Sequence, residues 1–262
     1  MFKRVIAVSN QKGGVGKTTT SVNLAASLSL KGRKVLLIDS DPQANATMAS
    51  GINKFNLKRD ETLYACLIEN VPAEKVIVTE TKGGYHLVPA TEDLTAAEVR
   101  MLDFYARENC LNKAIESVAS AYDFIIIDCP PALSLLTVNA MCAAEYVLVP
   151  MQCEYFALEG LTQLIDIIDQ VSQAINPDLK ILGILRTMFD NRNRLSNDVS
   201  EELIKNFGDV IFKTIIPRNV RLAEAPSYGM PVQFYDKSSI GSKAYMNLAE
   251  ELLEKEKSLW QD

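Results

Sequence analysis

The stretch that most constrains this chain is a glycine-rich turn between an apolar run and a helix-forming run. It reads Lys12-Gly13-Gly14-Val15-Gly16-Lys17-Thr18. Glycines permit backbone conformations and close ligand approach that side chains would block. Consecutive N–H groups of such a turn, together with the N-terminus of the following helix, form a cradle for phosphate groups. The sequence therefore predicts a strand, a phosphate-binding loop and a helix in that order.

The other side chains of this loop have separate chemical tasks. We expect Lys17 to reach the β- and γ-phosphates and the Thr18 hydroxyl to bind Mg²⁺. Thr19 follows at the helix start and can donate a hydrogen bond to the α-phosphate. The common pattern G-x-x-x-x-G-K-[ST] is not met in full, because Gln11 replaces its first glycine and Lys12 precedes the glycine pair. The predicted ligands are ATP and Mg²⁺.

Carboxylates end two of the apolar runs. Asp128 closes the run Phe124–Ile127, and Asp39 closes the run Val35–Ile38, with Asp41 two residues further on. Ligands of open α/β sheets lie at the carboxyl ends of the strands, so Asp128 and Asp39 are expected near the metal. Phosphoryl transfer depends on positioning and charge neutralisation, and Asp41 is expected to orient the attacking water. The alternatives are a capping aspartate at a strand end and a turn built on Asp41 and the proline after it.

Apolar, β-branched runs alternate with helix-forming segments along the whole chain. The predicted strands are Arg4–Ser9, Lys34–Asp39, His86–Pro89, Tyr122–Asp128, Tyr146–Pro150, Lys180–Leu185 and Val210–Ile216. The predicted helices are Thr18–Leu30, Thr95–Ser120, Gly160–Ile175, Asp198–Asn206 and Ser242–Ser258. Residues 52–81 are expected to form a loop with one short helix near Leu63–Glu69. This order predicts one α/β domain over residues 1–262, a doubly wound, mostly parallel sheet with helices on both faces.

Cysteine and histidine usage narrows the chemistry and the compartment. The five cysteines are odd in number and never spaced as C-x-x-C, which favours reduced thiols in a cytoplasmic protein over a disulfide scaffold or zinc ribbon. His86 is the single histidine, so no histidine-based metal site is expected and a structural role is predicted for it. The N-terminus resembles no signal peptide, and no window of about 18 apolar residues predicts a membrane span.

Five blocks of sequence together resemble the ParA/Soj family of partition ATPases. They are KGGVGKTTT, DSDPQANAT, FIIIDCPPALSLLTVNA, VPMQCEYFALEGL and IIPRNVRLAEAPSYGMPV. The resemblance covers nearly the whole chain and implies an ATP-hydrolysing enzyme that forms a sandwich homodimer when ATP is bound. It implies that Lys12 crosses to the partner's nucleotide as a catalytic cation supplied in trans. Pro217 and Asn219 match the segment that contacts adenine in this family.

The resemblance also implies two macromolecular partners, non-specific double-stranded DNA and a ParB-like centromere-binding protein that stimulates hydrolysis. The ATP-bound dimer would then lie on the nucleoid. The net charge of −6 argues against DNA, but residues 186–243 hold nine Lys/Arg against seven Asp/Glu. The candidate DNA contacts are Arg192, Arg194, Arg218, Arg221, Lys237 and Lys243. Arg186 is interpreted as a further DNA contact or an ion pair at an interface.

Three other functions remain as alternatives. A MinD-like regulator of division would bind membranes through the last helix, which carries Leu248, Leu252 and Leu253 on one face with Leu259 and Trp260 beyond. Its other face is rich in glutamate, which anionic lipid would repel, so docking on the sheet and no membrane partner are expected. A ParA-like positioner of another cargo would share all the chemistry. A metabolic kinase or ligase would need a further substrate pocket. Met141, Met151 and Met188 are interpreted as core residues.

Overall fold

A seven-stranded parallel sheet lies at the centre of the molecule, described by a computed structural model of residues 4–259. The strands are β1 Val5–Val8, β2 Val35–Asp39, β3 His86–Val88, β4 Phe124–Asp128, β5 Tyr146–Met151, β6 Lys180–Phe189 and β7 Ile211–Pro217. Their order in the sheet is β3-β2-β4-β1-β5-β6-β7. Each neighbouring pair is parallel, which confirms the predicted fold class.

Helices cover both faces of this sheet. Within the described residues they are α1 Lys17–Leu30, α2 Asn45–Ala49, α3 Leu63–Ile68, α4 Leu94–Met101, α5 Cys110–Ile115, α6 Leu135–Ala143, α7 Ala157–Ala174, α8 Arg194–Phe207, α9 Val220–Glu224, α10 Val232–Tyr235 and α11 Ile240–Leu259. One apolar core lies between the sheet and α3 to α8. A second core joins the opposite face to α1, α2 and α9 to α11.

The predicted strands are confirmed because buried parallel strands need apolar side chains on both faces. Every residue of β1, β2 and β4 is buried. The largest difference is at β6, which continues four residues past its predicted end to Phe189. The short helix predicted near residue 63 is confirmed as α3. The single domain over the whole chain stays a prediction.

The long helix predicted over Thr95–Ser120 is wrong. The chain breaks after Met101 and turns at Ala106, whose φ is +52°, before α5 begins at Cys110. A side chain of α6 takes up backbone groups that the break releases, because Asn139 accepts a hydrogen bond from the N–H of Leu111 at 3.0 Å. The helix α6 itself was not predicted, since its residues are apolar on every side and nearly all buried.

The last helix docks on the body of the domain, as expected. Leu248, Ala249 and Leu252 of α11 are buried in the core that contains α1. On the sheet edge, the Glu251 carboxylate accepts hydrogen bonds from the N–H groups of two residues of β7, which covers part of an open strand edge. The expected Leu259 and Trp260 contribution lies outside the side chains that the structure describes. Among residues 4–259, no helix is both long and apolar enough to cross a bilayer.

Glu256 of α11 ties the C-terminal helix to the residue before β1 and to the connection between α1 and β2. Its buried carboxylate binds Arg4 at 3.1 Å and Arg33 at 2.6 Å, so it does not belong to a solvated face as the sequence suggested. We expect Glu256→Ala to lower the free energy of unfolding by about 2 kcal/mol, because two half-buried guanidinium groups lose their partner. Urea unfolding measures this. The matched control is Glu250→Ala on the same helix, where an exposed ion pair with Lys31 should contribute less than about 0.5 kcal/mol. Equal losses in the two variants would contradict the assignment.

Candidate active site

The loop between β1 and α1 has the backbone of a phosphate cradle. Gly14 and Gly16 adopt φ values of +75° and +89°, a left-handed region that L side chains rarely occupy. No atom lies within 4 Å of a Cβ placed on Gly14, so that side of the loop is open to a ligand. On the inner side, the Thr187 hydroxyl of β6 donates to the carbonyl of Val15 at 2.7 Å and anchors the loop. The sequence predicted the loop but not this anchor.

Lys17 begins α1 and lies beneath the loop. Its ammonium group donates a hydrogen bond to the carbonyl of Lys12 at 3.1 Å, which holds the side chain against the turn. Burial lowers the pKa of Lys17, and the nearby Asp128 opposes that shift. A cation that has lost part of its hydration gains more from a bound polyphosphate than a solvated one does.

Asp128 lies at the carboxyl end of β4 and faces the first turn of α1. It accepts a hydrogen bond from Thr18 at 2.7 Å and another from Ser21 at 2.8 Å. Burial, together with the nearby Asp39, raises the pKa of Asp128 to about 8, although the two hydroxyl bonds oppose the shift. A cation held here would favour the charged carboxylate. Ser21 was missed, although its spacing of three residues from Thr18 on a helix signals a shared face.

These oxygens fit a magnesium ion held partly by its substrate. A hydroxyl and a carboxylate oxygen are hard ligands of the kind Mg²⁺ selects, with phosphate oxygens and water completing the octahedron. Within residues 4–259, no cluster of three or more His, Cys, Asp or Glu side chains forms a metal site by protein groups alone. The fit is therefore to a Mg–nucleotide complex at Thr18 and Asp128.

Asp39 ends β2 beside Asp128 but makes its contacts inside the protein. One oxygen accepts hydrogen bonds from both the N–H and the hydroxyl of Thr47, each at 2.7 Å. The other accepts from the N–H of Asp41 at 3.2 Å. Burial raises the pKa of Asp39 to about 6, and the Thr47 bonds oppose the shift. Most of the hydrogen bonds that this carboxylate can accept thus come from the residues that follow it in the chain.

Asp41 lies in the turn between β2 and α2. Its side chain is buried and accepts a hydrogen bond from the N–H of Gln43 at 2.9 Å. Its carbonyl accepts a second from the N–H of Ala44, whose φ is +55°. The carboxylate is close enough to Lys17 and Asp128 to influence the pKa of each. The structure therefore brings Asp41 to the same sheet edge as the phosphate loop.

Lys12 points away from its own loop. Its half-exposed ammonium forms an ion pair with Glu154, which follows β5 and is equally exposed. Two exposed aromatic residues, Tyr155 and Phe156, come next in the chain. This arrangement leaves Lys12 on an open surface where another molecule can reach it.

A cavity of about 340 Å³ opens beside the loop, at the carboxyl ends of β6 and β7. Its lining is Gly16, Thr19, Thr187, Met188, Ile216, Pro217, Arg218, Asn219, Val220, Leu222, Ala223 and Tyr245. The structure thus brings Pro217 and Asn219 to within one cavity of the phosphate loop. The interpretation of Met188 as a core residue is wrong: it is partly exposed, lines this cavity, and has a φ of +48°, which is rare for a non-glycine residue.

The side-chain oxygen of Asn219 is buried in this region and has no hydrogen-bond partner within the described residues. Such an orphaned acceptor costs stability unless a ligand donor meets it. A larger cavity of about 550 Å³ lies between α3 and α5, away from the phosphate loop. The smaller cavity is the better nucleotide site because Gly16 and Thr19, next to Lys17 and Thr18 in the chain, line it together with Asn219.

The six basic candidates are all exposed. Arg192 and Arg194 lie at the start of α8, Arg218 and Arg221 follow β7, and Lys237 and Lys243 flank the start of α11. Three of the arginines bind carboxylates of their own chain. The pairs are Arg192 with Asp190, Arg194 with Asp198, and Arg221 with Glu224 and Asp236. A basic surface exists here, but acidic neighbours partly neutralise it.

Arg186 fits neither role that its position suggested. Only 6% of its surface is exposed, so it cannot contact DNA or a partner as the structure stands. It donates hydrogen bonds to the Ser200 hydroxyl at 2.9 Å and to the Phe212 carbonyl at 3.1 Å. It therefore ties α8 to β6 and β7 from within, which sequence patterning could not reveal.

Comparison with known proteins agrees with this geometry. A family model described as an AAA domain matches residues 3–181. The chromosome partitioning protein ParA of Myxococcus xanthus is 49% identical over 97% of this chain and 89% of its own. The sporulation initiation inhibitor protein Soj of Bacillus subtilis is 48% identical over 95% of this chain and 98% of its own.

A solved structure extends the comparison to bound ligands. Cobyrinic acid a,c-diamide synthase of Mycobacterium smegmatis, with a bound ATP analog and magnesium, superposes with a TM-score of 0.85. It is 37% identical and covers 98% of this chain and 97% of its own. Relatives that share almost the full length at 48–49% identity decide the family. This chain belongs to the ParA/Soj family of partition ATPases.

Proposed function

We propose that this protein hydrolyses ATP with Mg²⁺ and uses the cycle to bind and release DNA as a homodimer during chromosome or plasmid partition. The observation that carries the proposal is the convergence of three features on one sheet edge. They are the phosphate loop with Lys17, the Thr18–Asp128 pair, and the cavity of about 340 Å³ beside the loop. Asn219, with its unpaired side-chain oxygen, lines this cavity, which we call the base cavity. Together the three features match the triphosphate, the metal and the base of one nucleotide.

In this assignment each residue of the loop meets a defined part of the substrate. Lys17 binds the β- and γ-phosphates, backbone N–H groups from Gly13 to Thr18 surround the β-phosphate, and Thr19 reaches the α-phosphate. Thr18 and Asp128 hold Mg²⁺, which neutralises phosphate charge when bound. Asp41 orients a water molecule in line with the bond between the γ-phosphorus and its bridging oxygen. The attack forms a bond between the water oxygen and the γ-phosphorus, breaks the bond between the γ-phosphorus and the bridging oxygen, and releases ADP and phosphate.

The base cavity supports adenine over guanine. The unpaired Asn219 oxygen can accept a hydrogen bond from the exocyclic amine of adenine, whereas guanine presents a carbonyl oxygen at that position. Apolar side chains such as Ile216 and Leu222 suit the faces of a purine ring. Pro217 stiffens the strand end that carries Asn219.

We expect Asn219→Leu to weaken ATP binding about ten- to a hundredfold, because it removes that acceptor from a buried site. The melting temperature of the nucleotide-free protein should not fall, since the lost oxygen has no partner there. Calorimetric titration with ATP and GTP, together with thermal melting, measures both effects. An unchanged ATP affinity would contradict this role, and equal ATP and GTP affinities in the native protein would contradict the base assignment.

The position of Lys12 supports the proposed dimer. A lysine that leaves its own loop and lies on an open surface can reach the nucleotide of a second copy. A cation supplied in trans to the developing charge accelerates phosphoryl transfer. Pairing also doubles the number of basic residues on one particle, so ATP can switch on DNA binding by assembling the two basic surfaces.

DNA binding is proposed for the exposed cations at the carboxyl ends of β6 and β7. Phosphate contacts of Lys and Arg supply sequence-independent affinity that falls steeply with salt. The partition proteins that share about half of this sequence support the assignment. A ParB-like protein is proposed as the partner that stimulates hydrolysis, on the same ground. A ParA-like positioner of another cargo would differ only in that partner.

We expect Arg192→Ala to weaken ATP-dependent retention on non-specific DNA. The slope of the logarithm of the DNA affinity against the logarithm of the salt concentration should become shallower by about two, one for each copy in the dimer. Fluorescence anisotropy at several salt concentrations measures this. The matched control is Arg59→Ala, which removes another exposed arginine with a carboxylate partner, Asp93, far from β6 and β7 in the sheet. Equal retention of the native protein with ADP and with ATP would contradict the proposed switch.

A further inference from the structure

Thr47 of α2 connects the two sides of the loop that carries Asp41. Its N–H and its hydroxyl both donate to the same oxygen of Asp39, each at 2.7 Å. The same hydroxyl accepts a hydrogen bond from the N–H of Ala90, just after β3, at 2.9 Å. Thr47 is fully buried, so its hydroxyl, which donates one hydrogen bond and accepts another, is not available to a ligand.

These bonds close residues 39–47 into a ring around Asp41. The strand β2 ends at Asp39 and the helix α2 holds Thr47, so their contact joins the two ends of the turn. Inside the ring, the Asp41 N–H donates to the second oxygen of Asp39, and the Asp41 carboxylate accepts from Gln43. The bond to Ala90 then fastens this ring to the neighbouring strand β3.

We propose that Thr47 is a positioning residue for hydrolysis, whose hydroxyl holds the turn so that Asp41 faces the terminal phosphate. This inference rests on the proposed role of Asp41. It assigns the carboxylate of Asp39 mainly to holding the turn, since one oxygen accepts two hydrogen bonds and the other accepts a third. Displacement of a reacting group by about 1 Å can cost a hundredfold in rate. Loss of the hydrogen bonds of the Thr47 hydroxyl, which shifts the turn, is therefore expected to lower the turnover.

The test separates turnover from nucleotide binding. Thr47→Val keeps the shape and the N–H of the residue but removes the hydroxyl. We expect its kcat to fall about ten- to a hundredfold while its affinity for ATP changes by less than about twofold. Amide hydrogen exchange of residues 40–46 should become faster. Thr47→Ser retains the hydroxyl and should restore both the turnover and the slow exchange.

A matched control lies on the same segment. The buried Ser50 hydroxyl donates to the Ala46 carbonyl on α2 and contacts the Tyr85 hydroxyl, both at 2.7 Å, and it forms no hydrogen bond with Asp39, Asp41 or Thr47. Ser50→Ala should therefore keep its kcat. The inference is overturned if Thr47→Val keeps native turnover, or if Thr47→Ser or Ser50→Ala loses as much as Thr47→Val.

Asp41→Asn, measured in parallel, separates this inference from the function beneath it. A large loss in Asp41→Asn with native turnover in Thr47→Val would overturn only the role of Thr47. Native turnover in Asp41→Asn would overturn the role of Asp41 itself, and the inference on Thr47 with it.

Discussion

Lys12→Ala should lower ATP turnover by about 10³–10⁵-fold while leaving ATP binding by the monomer nearly intact. The reason is geometric. Lys12 leaves its own phosphate loop and pairs with Glu154 on an open surface, whereas Lys17 stays buried beneath the loop. A cation that acts on the nucleotide of a second copy contributes to the transition state and little to binding by its own copy. Steady-state hydrolysis and calorimetric titration measure the two effects separately.

The control for this prediction is Lys31→Ala, which removes another lysine from an ion pair with a glutamate, Glu250, far from the loop. It should change turnover by less than about twofold, because surface ion pairs of this kind contribute little. A mixing experiment adds a sharper test. If Lys12 acts across the dimer, a variant lacking Lys12 but binding ATP should regain turnover when mixed with Lys17→Ala, which supplies Lys12 but cannot bind ATP. Normal turnover in Lys12→Ala alone would contradict a catalytic role for Lys12, and low turnover that does not recover in the mixture would contradict catalysis in trans.

Asp41→Asn should lower turnover by about 10²–10⁴-fold with ATP binding and dimerisation retained. Asparagine keeps the shape of the side chain and can still accept the hydrogen bond from Gln43. It loses the negative charge that orients and polarises the attacking water. The variant should therefore accumulate as an ATP-bound dimer, which size-exclusion chromatography with light scattering detects.

Thermal melting of the two asparagine variants distinguishes the role of Asp41 from that of its neighbour Asp39. Asp39→Asn should disturb the turn through Thr47 and lower thermal stability, because its buried carboxylate accepts three hydrogen bonds. Asp41→Asn should leave thermal stability nearly unchanged. Native turnover in Asp41→Asn would show that another group positions the water.

Local patterns were enough to predict the strands and the phosphate loop. Buried parallel strands consist of apolar residues in unbroken runs, and the glycines of the loop are set by backbone conformations that only they adopt readily. The position of Asp128 at the end of β4 was predictable for the same reason, since it follows directly from the run Phe124–Ile127. These features depend on residues close together in the chain.

Features that depend on distant residues were not predictable from patterns. Asn139 lies on α6 but accepts a hydrogen bond from the N–H of Leu111 at the start of α5. This contact between distant residues accompanies the division of one predicted helix into α4 and α5. Arg186 reads as a surface cation in the sequence, yet its donors meet Ser200 and Phe212 inside the fold. Thr47 carries no motif of its own, and its importance becomes visible only when Asp39 is found beside it.

The most direct test of the site is calorimetric titration of the purified protein with Mg–ATP, alongside Lys17→Ala. Saturable uptake of ATP near one equivalent per chain, lost in Lys17→Ala and absent with GTP, is the expected result. If the native protein takes up no adenine nucleotide in the presence of magnesium, then the loop at residues 12–18 is not a triphosphate site, and the proposals on hydrolysis, dimerisation and DNA binding fail together.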